Sequence, residues 1–253
     1  MKGWRTTLAS LGKDPGWSTW HVLNWILPYP CDLCKEERAA QHLGSICCSC
    51  WDKVKLLHPP LCTRCGIPVP RGMDEPLCGP CRLGPSEFDE AVAVGPYEGK
   101  LREIIHLYKY RGKRMLRKPL GDLMAPAAWR LARESDLTLV TAVPMHVSRL
   151  RQREFNQAEE LAHRLAESLQ LPCKLGLVEK VKTTQPQVEL SGPERRKNVR
   201  GAFRVVRPRE IPGQRILLVD DVMTTGATVA ECARLLKKSG ALKVCVLVLA
   251  RAL

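Results

Sequence analysis

No stretch of this 253-residue chain approaches the roughly 20 consecutive apolar residues that a membrane-spanning helix requires. A secretory leader is equally hard to find. The first apolar run, Trp20 to Leu27, is interrupted by His21 and Asn24 and leads into Pro28 rather than a small-residue cleavage site. Acidic residues are scarce beside basic ones, 26 against 40, for a formal net charge of +14. That balance suits a polyanionic partner, either nucleic acid or a polyphosphate, although a solvated basic face would have the same composition. No segment identifies a nucleobase pocket. The expected compartment is a reducing cytoplasm.

What is present in quantity is cysteine, twelve in all. In a reducing compartment paired thiols read as metal ligands rather than disulfides. Cys31-x-x-Cys34 is followed after twelve residues by Cys47-x-x-Cys50, and Cys62-x-x-Cys65 after twelve residues by Cys78-x-x-Cys81. Each two-residue turn lets two sulfurs reach one ion at tetrahedral angles, and two such turns close a four-sulfur structural zinc site. The repeat assigns Cys31, Cys34, Cys47 and Cys50 to one zinc and Cys62, Cys65, Cys78 and Cys81 to another, with a cross-braced pairing as the alternative. Each Zn(Cys)4 centre carries about −2, so two of them lower the effective charge to roughly +10 and leave its sign unchanged. Cys48 lies inside a knuckle, and Cys232 and Cys245 read as buried core cysteines.

The framework stops at Gly84–Pro85. Residues 1–27, with four tryptophans, read as an extension, either poorly ordered or a short amphipathic helix around Trp17, Trp20 and Trp25. Residues 28–84 form the zinc module and 85–253 a larger α/β unit. Strand patterns run from Glu90 to Gly99, Thr138 to Pro144, Ile216 to Val219 and Leu242 to Ala250, with helical patterns between them. One helix, Leu120 to Leu131, is expected to break or kink at Pro126.

The strand beginning at Arg215 is read as ending in Asp220 and Asp221, followed by a turn of small residues, Thr224 to Thr228, and a helix from Val229. Ligands bind at the carboxyl ends of parallel strands, and a turn feeding a helix presents amide donors to phosphate. The hydroxyls and amides of Thr224, Thr225, Gly226, Ala227 and Thr228 suit a monophosphate, and the two carboxylates suit sugar hydroxyls. A ribose 5′-phosphate satisfies both halves; a strand–turn–helix corner in which the carboxylates merely cap the helix is the alternative. A second strand, TLVTAVP, leads into His146, Arg149, Arg151 and Arg153. Arginine at that density suits pyrophosphate, with Arg149 and Arg153 the leading candidates. The polar stretch Thr183 to Arg200 reads as a lid. Lys109-Tyr110-Arg111-Gly112-Lys113-Arg114 interleaves bases with an aromatic, as nucleic-acid surfaces do, with a phosphate-facing Lys109 or a solvated helix end as equal alternatives.

Three blocks, VPMHVSRLRQREFNQAEELA, TTQPQVELSGPERRKNVRGAF and ILLVDDVMTTGATV, together with the cysteine knuckles, resemble the ComF family. The resemblance spans about residues 28–253. It implies a zinc ribbon fused to a type I phosphoribosyltransferase fold, a parallel sheet with helices on both faces and a hood. It implies phosphoribosyl pyrophosphate (PRPP) with Mg²⁺ as ligand and a cytoplasmic role with single-stranded DNA and other competence proteins. Carried over by residue, Asp220 and Asp221 would be the catalytic and ribose-binding carboxylates and Thr224 to Thr228 the phosphate turn. One departure is visible: the family often has Arg-Gly-Phe-Asn-Gln where this chain has Arg153-Glu154-Phe155-Asn156-Gln157. A glutamate beside a pyrophosphate loop is unfavourable unless it turns outward. A metabolic phosphoribosyltransferase acting on a base or amine, and a non-catalytic zinc-ribbon adaptor, are the competing functions.

Overall fold

The computed structural model describes residues 29–84, 86–182 and 199–253. Its centre is a four-stranded, wholly parallel sheet in the order β1-β6-β5-β2, built from β1 (Glu90–Pro96), β2 (Leu139–Ala142), β5 (Arg215–Met223) and β6 (Lys243–Arg251). Ile216 to Val219 of β5 and Val244 to Ala250 of β6 are continuous apolar runs because both faces are covered there, as buried parallel strands require. One face carries α3 (Gly99–Tyr110), α4 (Arg117–Ser135) and α6 (Gln157–Leu169). The other carries α7 (Ala227–Lys238) and a small antiparallel pair, β3 (Val178–Lys180) with β4 (Phe203–Val205). This is the type I phosphoribosyltransferase arrangement expected, a parallel sheet with helices on both faces. The N-terminal extension and residues 183–198 of the expected lid lie outside the described residues.

Two expectations need correction. α4 is continuous from Arg117 to Ser135 through Pro126, so the break expected there does not occur. Pro126 is exposed, and the carbonyl it leaves unpaired can tilt towards water. The buried stripe Leu120, Met124, Ala128 and Leu131 holds the helix to the core. β5, too, does not end at the carboxylates. It pairs with β6 as far as Met223↔Arg251, so Asp220 and Asp221 sit inside the strand, because β6 is long enough to supply partners.

The cysteine modules are not appendages. Cys31, Cys47 and Cys50 pack in one cluster with Ile46, Leu101, Ile104, Ile105 and Leu247, and Cys62, Cys65 and Cys78 in another with Ala91, Ala93 and Val246. Their backbone also closes the outer edge of β1. Ala91 N–H donates to Arg64 O and Leu57 N–H to Val94 O, both at 2.9 Å. Arg251 Nη1, at the end of β6, donates to Cys65 O at 2.8 Å. At the opposite edge, residues 172–174 bond Val140 and cover β2. An uncovered strand edge invites pairing with another chain, and both edges here are occupied.

Gly95 marks how closely the layers approach. A Cβ there would lie 2.6 Å from Lys55 O and 2.5 Å from Leu101 Cδ2. Gly95→Ala is expected to cost about 1–3 kcal/mol by overpacking. Thermal unfolding of the zinc-loaded chain checks this, since an unchanged midpoint would mean the ribbon is not held against β1.

Candidate functional site

Successive side chains of a strand point to opposite faces, so Asp220 and Asp221 divide between the two layers of the fold. Asp221, buried, meets Lys109 of α3, with Oδ1 2.8 Å from Nζ. Asp220 is half-buried on the other side. Burial first, then the charge of Asp221, pushes its carboxyl up to about 7 from the ordinary 3.8, against the favourable charges of Lys109 and Lys180. Asp221 N–H donates to Asp220 Oδ1 at 2.8 Å and turns one oxygen back onto the strand. Lys180, at the end of β3, lies 5.6 Å over the ring of Phe203. Its ammonium is held below the usual lysine range by burial and by the charge of Arg149. The two adjacent carboxylates are thus flanked by cations, Lys109 beside Asp221 and Lys180, with Arg149 beyond it, on the Asp220 side.

The turn after β5 is set by Gly226, which caps α7 at φ 79°, in the left-handed region that favours glycine. No side chain serves as its N-cap; Thr225 Oγ1 instead accepts from Ala227 N–H at 3.4 Å. Thr224 and Thr228 are half-buried and Thr225 is exposed, all within one turn of the helix. The expected phosphate residues Thr224, Thr225, Gly226, Ala227 and Thr228 are therefore contiguous, immediately beyond the two carboxylates.

The other arm starts from β2. His146 Nδ1 accepts from Ser148 N–H at 3.2 Å and caps α5 (Val147–Arg153). Arg149 is half-buried; Arg151 is exposed. Arg153 stacks over Tyr110, Cζ 4.6 Å from the ring centroid, and reaches Gln157 Oε1 at 3.4 Å. The next corner is fixed by Asn156, whose Oδ1 accepts from Ala158 N–H and whose Nδ2 donates to Val143 O, both at 3.1 Å. That one amide caps α6 and ties it to the end of β2. Gln157 is fully buried, and its Nε2 has no hydrogen-bond partner among the described residues, a surplus donor beside Arg153.

Glu154 does turn outward. It is exposed and has φ 67°, the left-handed conformation that glycine adopts without strain. The family's glycine at this place thus answers a backbone demand. Glu154→Gly is expected to stabilise the chain by about 0.5–1 kcal/mol, the relief of left-handed strain exceeding the added chain entropy. Urea denaturation tests it; a loss of stability would show that Glu154 is unstrained.

The structure settles the zinc pairing as sequential. The sulfurs of Cys31, Cys34, Cys47 and Cys50 lie within 4.8 Å of one another, as do those of Cys62, Cys65, Cys78 and Cys81. Sulfur–sulfur separations of 3.7 Å (Cys34–Cys47) and 3.5 Å (Cys65–Cys78) approach the roughly 3.8 Å edge of a Zn–S tetrahedron. Backbone N–H groups of Leu33 and Cys47 point at Cys31 Sγ, and that of Cys78 at Cys62 Sγ, at 3.3–3.4 Å, as metal-bound thiolates favour. Both tetrads fit a structural zinc ion. Cys48 is exposed and outside the first tetrad, while Cys232 and Cys245 are buried as expected.

Lys180 and the buried Gln157 were not legible as site residues in the sequence. Lys109 was read as one of a basic cluster, with a phosphate-facing position among its alternatives, and its pairing with Asp221 was not foreseen. The nearest signal for Gln157 was the Asn156-Gln157 pair within the family block.

Comparisons with known proteins agree with this construction. A phosphoribosyl transferase domain model matches residues 156–253 and a double zinc ribbon domain model matches residues 22–82. A DNA utilization protein, YhgH, of Salmonella typhi is 33% identical over 230 residues, covering 90% of this chain and 99% of that protein. Competence protein F of Haemophilus influenzae is 33% identical over 225 residues, covering 87% and 96%. Competence protein ComFC of Bacillus subtilis is 25% identical over 207 residues, covering 77% and 79%. No helix among the described residues is long and apolar enough to cross a membrane.

Proposed function

The chain belongs to the ComF family, and on that footing we propose that it binds PRPP, or a close ribose phosphate, with Mg²⁺ and acts in handling DNA during natural transformation. The observation that carries the ligand is the pair Asp220–Asp221 on the central strand, immediately followed by the turn Thr224 to Thr228. The carboxylates accept hydrogen bonds from the ribose hydroxyls. The turn donates amides and hydroxyls to the 5′-phosphate, and the dipole of α7 adds to the attraction. Arg149 and Lys180, whose charges act on one another, and Arg153, beside Gln157, are the cations that would meet pyrophosphate charge, and Gln157 Nε2 would supply a further donor next to Arg153. Mg²⁺ would offset the pyrophosphate charge next to two carboxylates. Binding of this kind requires Lys109 to share or release Asp221.

The DNA role rests on the competence and DNA utilization proteins that resemble this chain along most of their length, and on a strongly basic surface suited to single strands and to protein partners of DNA uptake. A metabolic phosphoribosyltransferase would share the ribose phosphate site, so the two are separated in cells. The chain carrying Asp220→Ala and Asp221→Ala is expected to lose the PRPP-dependent thermal shift and to reduce transformation while growth without added purines or pyrimidines stays normal. Nucleotide auxotrophy would favour the metabolic reading. A zinc-loaded parent chain showing no shift with PRPP and Mg²⁺ would overturn the ligand, as a purely adaptor role requires.

A further inference from the structure

The outward face of α3 carries Arg102, His106 and Tyr110 at four-residue spacing, one above the other. Tyr97, from the turn before the helix, joins them. Its ring stacks on His106 with centroids 6.2 Å apart and planes 28° apart, and its hydroxyl meets His106 Nε2 at 2.9 Å. His106 lies 5.5 Å from Tyr110. The guanidinium of Arg102 covers Tyr97 at 5.9 Å and that of Arg153 covers Tyr110 at 4.6 Å. A cation–aromatic ladder therefore runs along the helix and finishes on Arg153, at the rim of the candidate ribose phosphate site.

We propose that this ladder is a stacking surface for single-stranded nucleic acid. It deepens the reading above by naming the surface, and it rests on that reading for the class of partner. Tyr110 is 63% exposed, so its ring still offers area to a base. The eight residue steps from Arg102 to Tyr110 rise about 12 Å, which matches three or four nucleotides at about 3.4 Å each. Glu98 and Glu103, the carboxylates nearest in sequence, are held by Lys55 and Lys100 at 3.0 and 2.8 Å, which leaves the guanidiniums to meet phosphate. Burial, then the charges of Arg102 and Lys109, keeps His106 below the ordinary imidazole value and so an uncharged ring at neutral pH. Stacking needs unpaired bases, whereas a merely basic helix would take duplex equally well.

The test is fluorescence anisotropy of a labelled 20-nucleotide oligothymidine with the full, zinc-loaded chain at fixed salt. Tyr110→Ala together with His106→Ala is expected to weaken binding tenfold or more, and Tyr110→Trp to bind within about twofold of the parent. Arg102→Gln is expected to reduce the slope of affinity against salt by about one. Binding by the double variant within twofold of the parent, equal affinity of the parent for duplex, or no binding by the parent would each overturn the proposal. PRPP thermal shifts on the parent and on His106→Ala separate the two readings. A parent that ignores PRPP but loses oligonucleotide through the ladder substitutions would remove the ribose phosphate site and leave the ladder standing.

Discussion

Asp220→Asn and Asp221→Asn, made one at a time, are expected to move stability in opposite directions although the residues are adjacent. Asp220 has its carboxyl pushed up to about 7, first by burial and then by Asp221. Between about pH 4 and 7 the folded chain therefore holds a proton that the unfolded chain has released, and stability falls as pH rises through that window. Above pH 7 the whole penalty is present. Asparagine removes it, so Asp220→Asn should gain about 1–2 kcal/mol at pH 8, after discounting for solvent at a half-buried group, or roughly 3–6 °C in Tm. The gain should vanish near pH 4. Asp221→Asn strands the ammonium of Lys109, in a pair whose side chains are only 12% and 11% exposed. Leaving one partner of a buried pair alone should cost about 2–4 kcal/mol. Both variants, and above all the double one, should lose ribose phosphate affinity. Charge-assisted hydrogen bonds of about 1.5–3 kcal/mol each imply a fall of roughly 10²–10⁴-fold for the pair. Denaturation at pH 4, 6 and 8 with PRPP titration checks all of this, and equal signs for the two single variants would contradict the assigned environments.

The second large effect is expected from zinc. Structural zinc contributes about 10–16 kcal/mol of apparent folding free energy in isolated zinc-finger peptides, and a whole domain is stable by only about 5–15 kcal/mol. Here the ligands of both tetrads lie inside the two clusters that also hold Leu101, Ile104, Ala91 and Val246. Chelation, or Cys47→Ser, should therefore cause loss of the sheet's cooperative unfolding transition, with PRPP binding lost alongside it. Metal analysis of the parent should find two zinc ions per chain. A chelated chain that keeps a sharp thermal transition and an unchanged PRPP shift would show the ribbons to be independent modules.

How much of this the sequence displayed depended on whether the signal was local. The cysteine knuckles and the run from Ile216 through Thr228 are short-range patterns, and they located both cysteine tetrads and the carboxylate–turn motif. The way the knuckles pair was left open by spacing alone, and needed the positions of the sulfurs. The Lys109–Asp221 ion pair and the approach of Lys180 to Asp220 join segments far apart in the chain, and nothing near any of them signals its partner. Pro126 and the length of β5 misled because local preference was overruled by neighbours: a buried helix face in one case, an equally long adjacent strand in the other. The stripe of Arg102, His106 and Tyr110 was not singled out in the sequence, and Tyr97 and Arg153 join it only in three dimensions.

The hydrogen bonds from Ala91 to Arg64 and from Arg251 to Cys65 also set an order of assembly. The knuckles are local in sequence and can close on their metal while the rest is still being made. Their docking surface needs β6, which follows every other strand of the sheet in chain order and is an inner strand. Until it arrives, β1 cannot join β5, and the ribbon has no sheet to cover. Loss of residues 244–253 would therefore remove the middle of the sheet rather than its margin, and nascent chains would wait for β6 at an exposed stage.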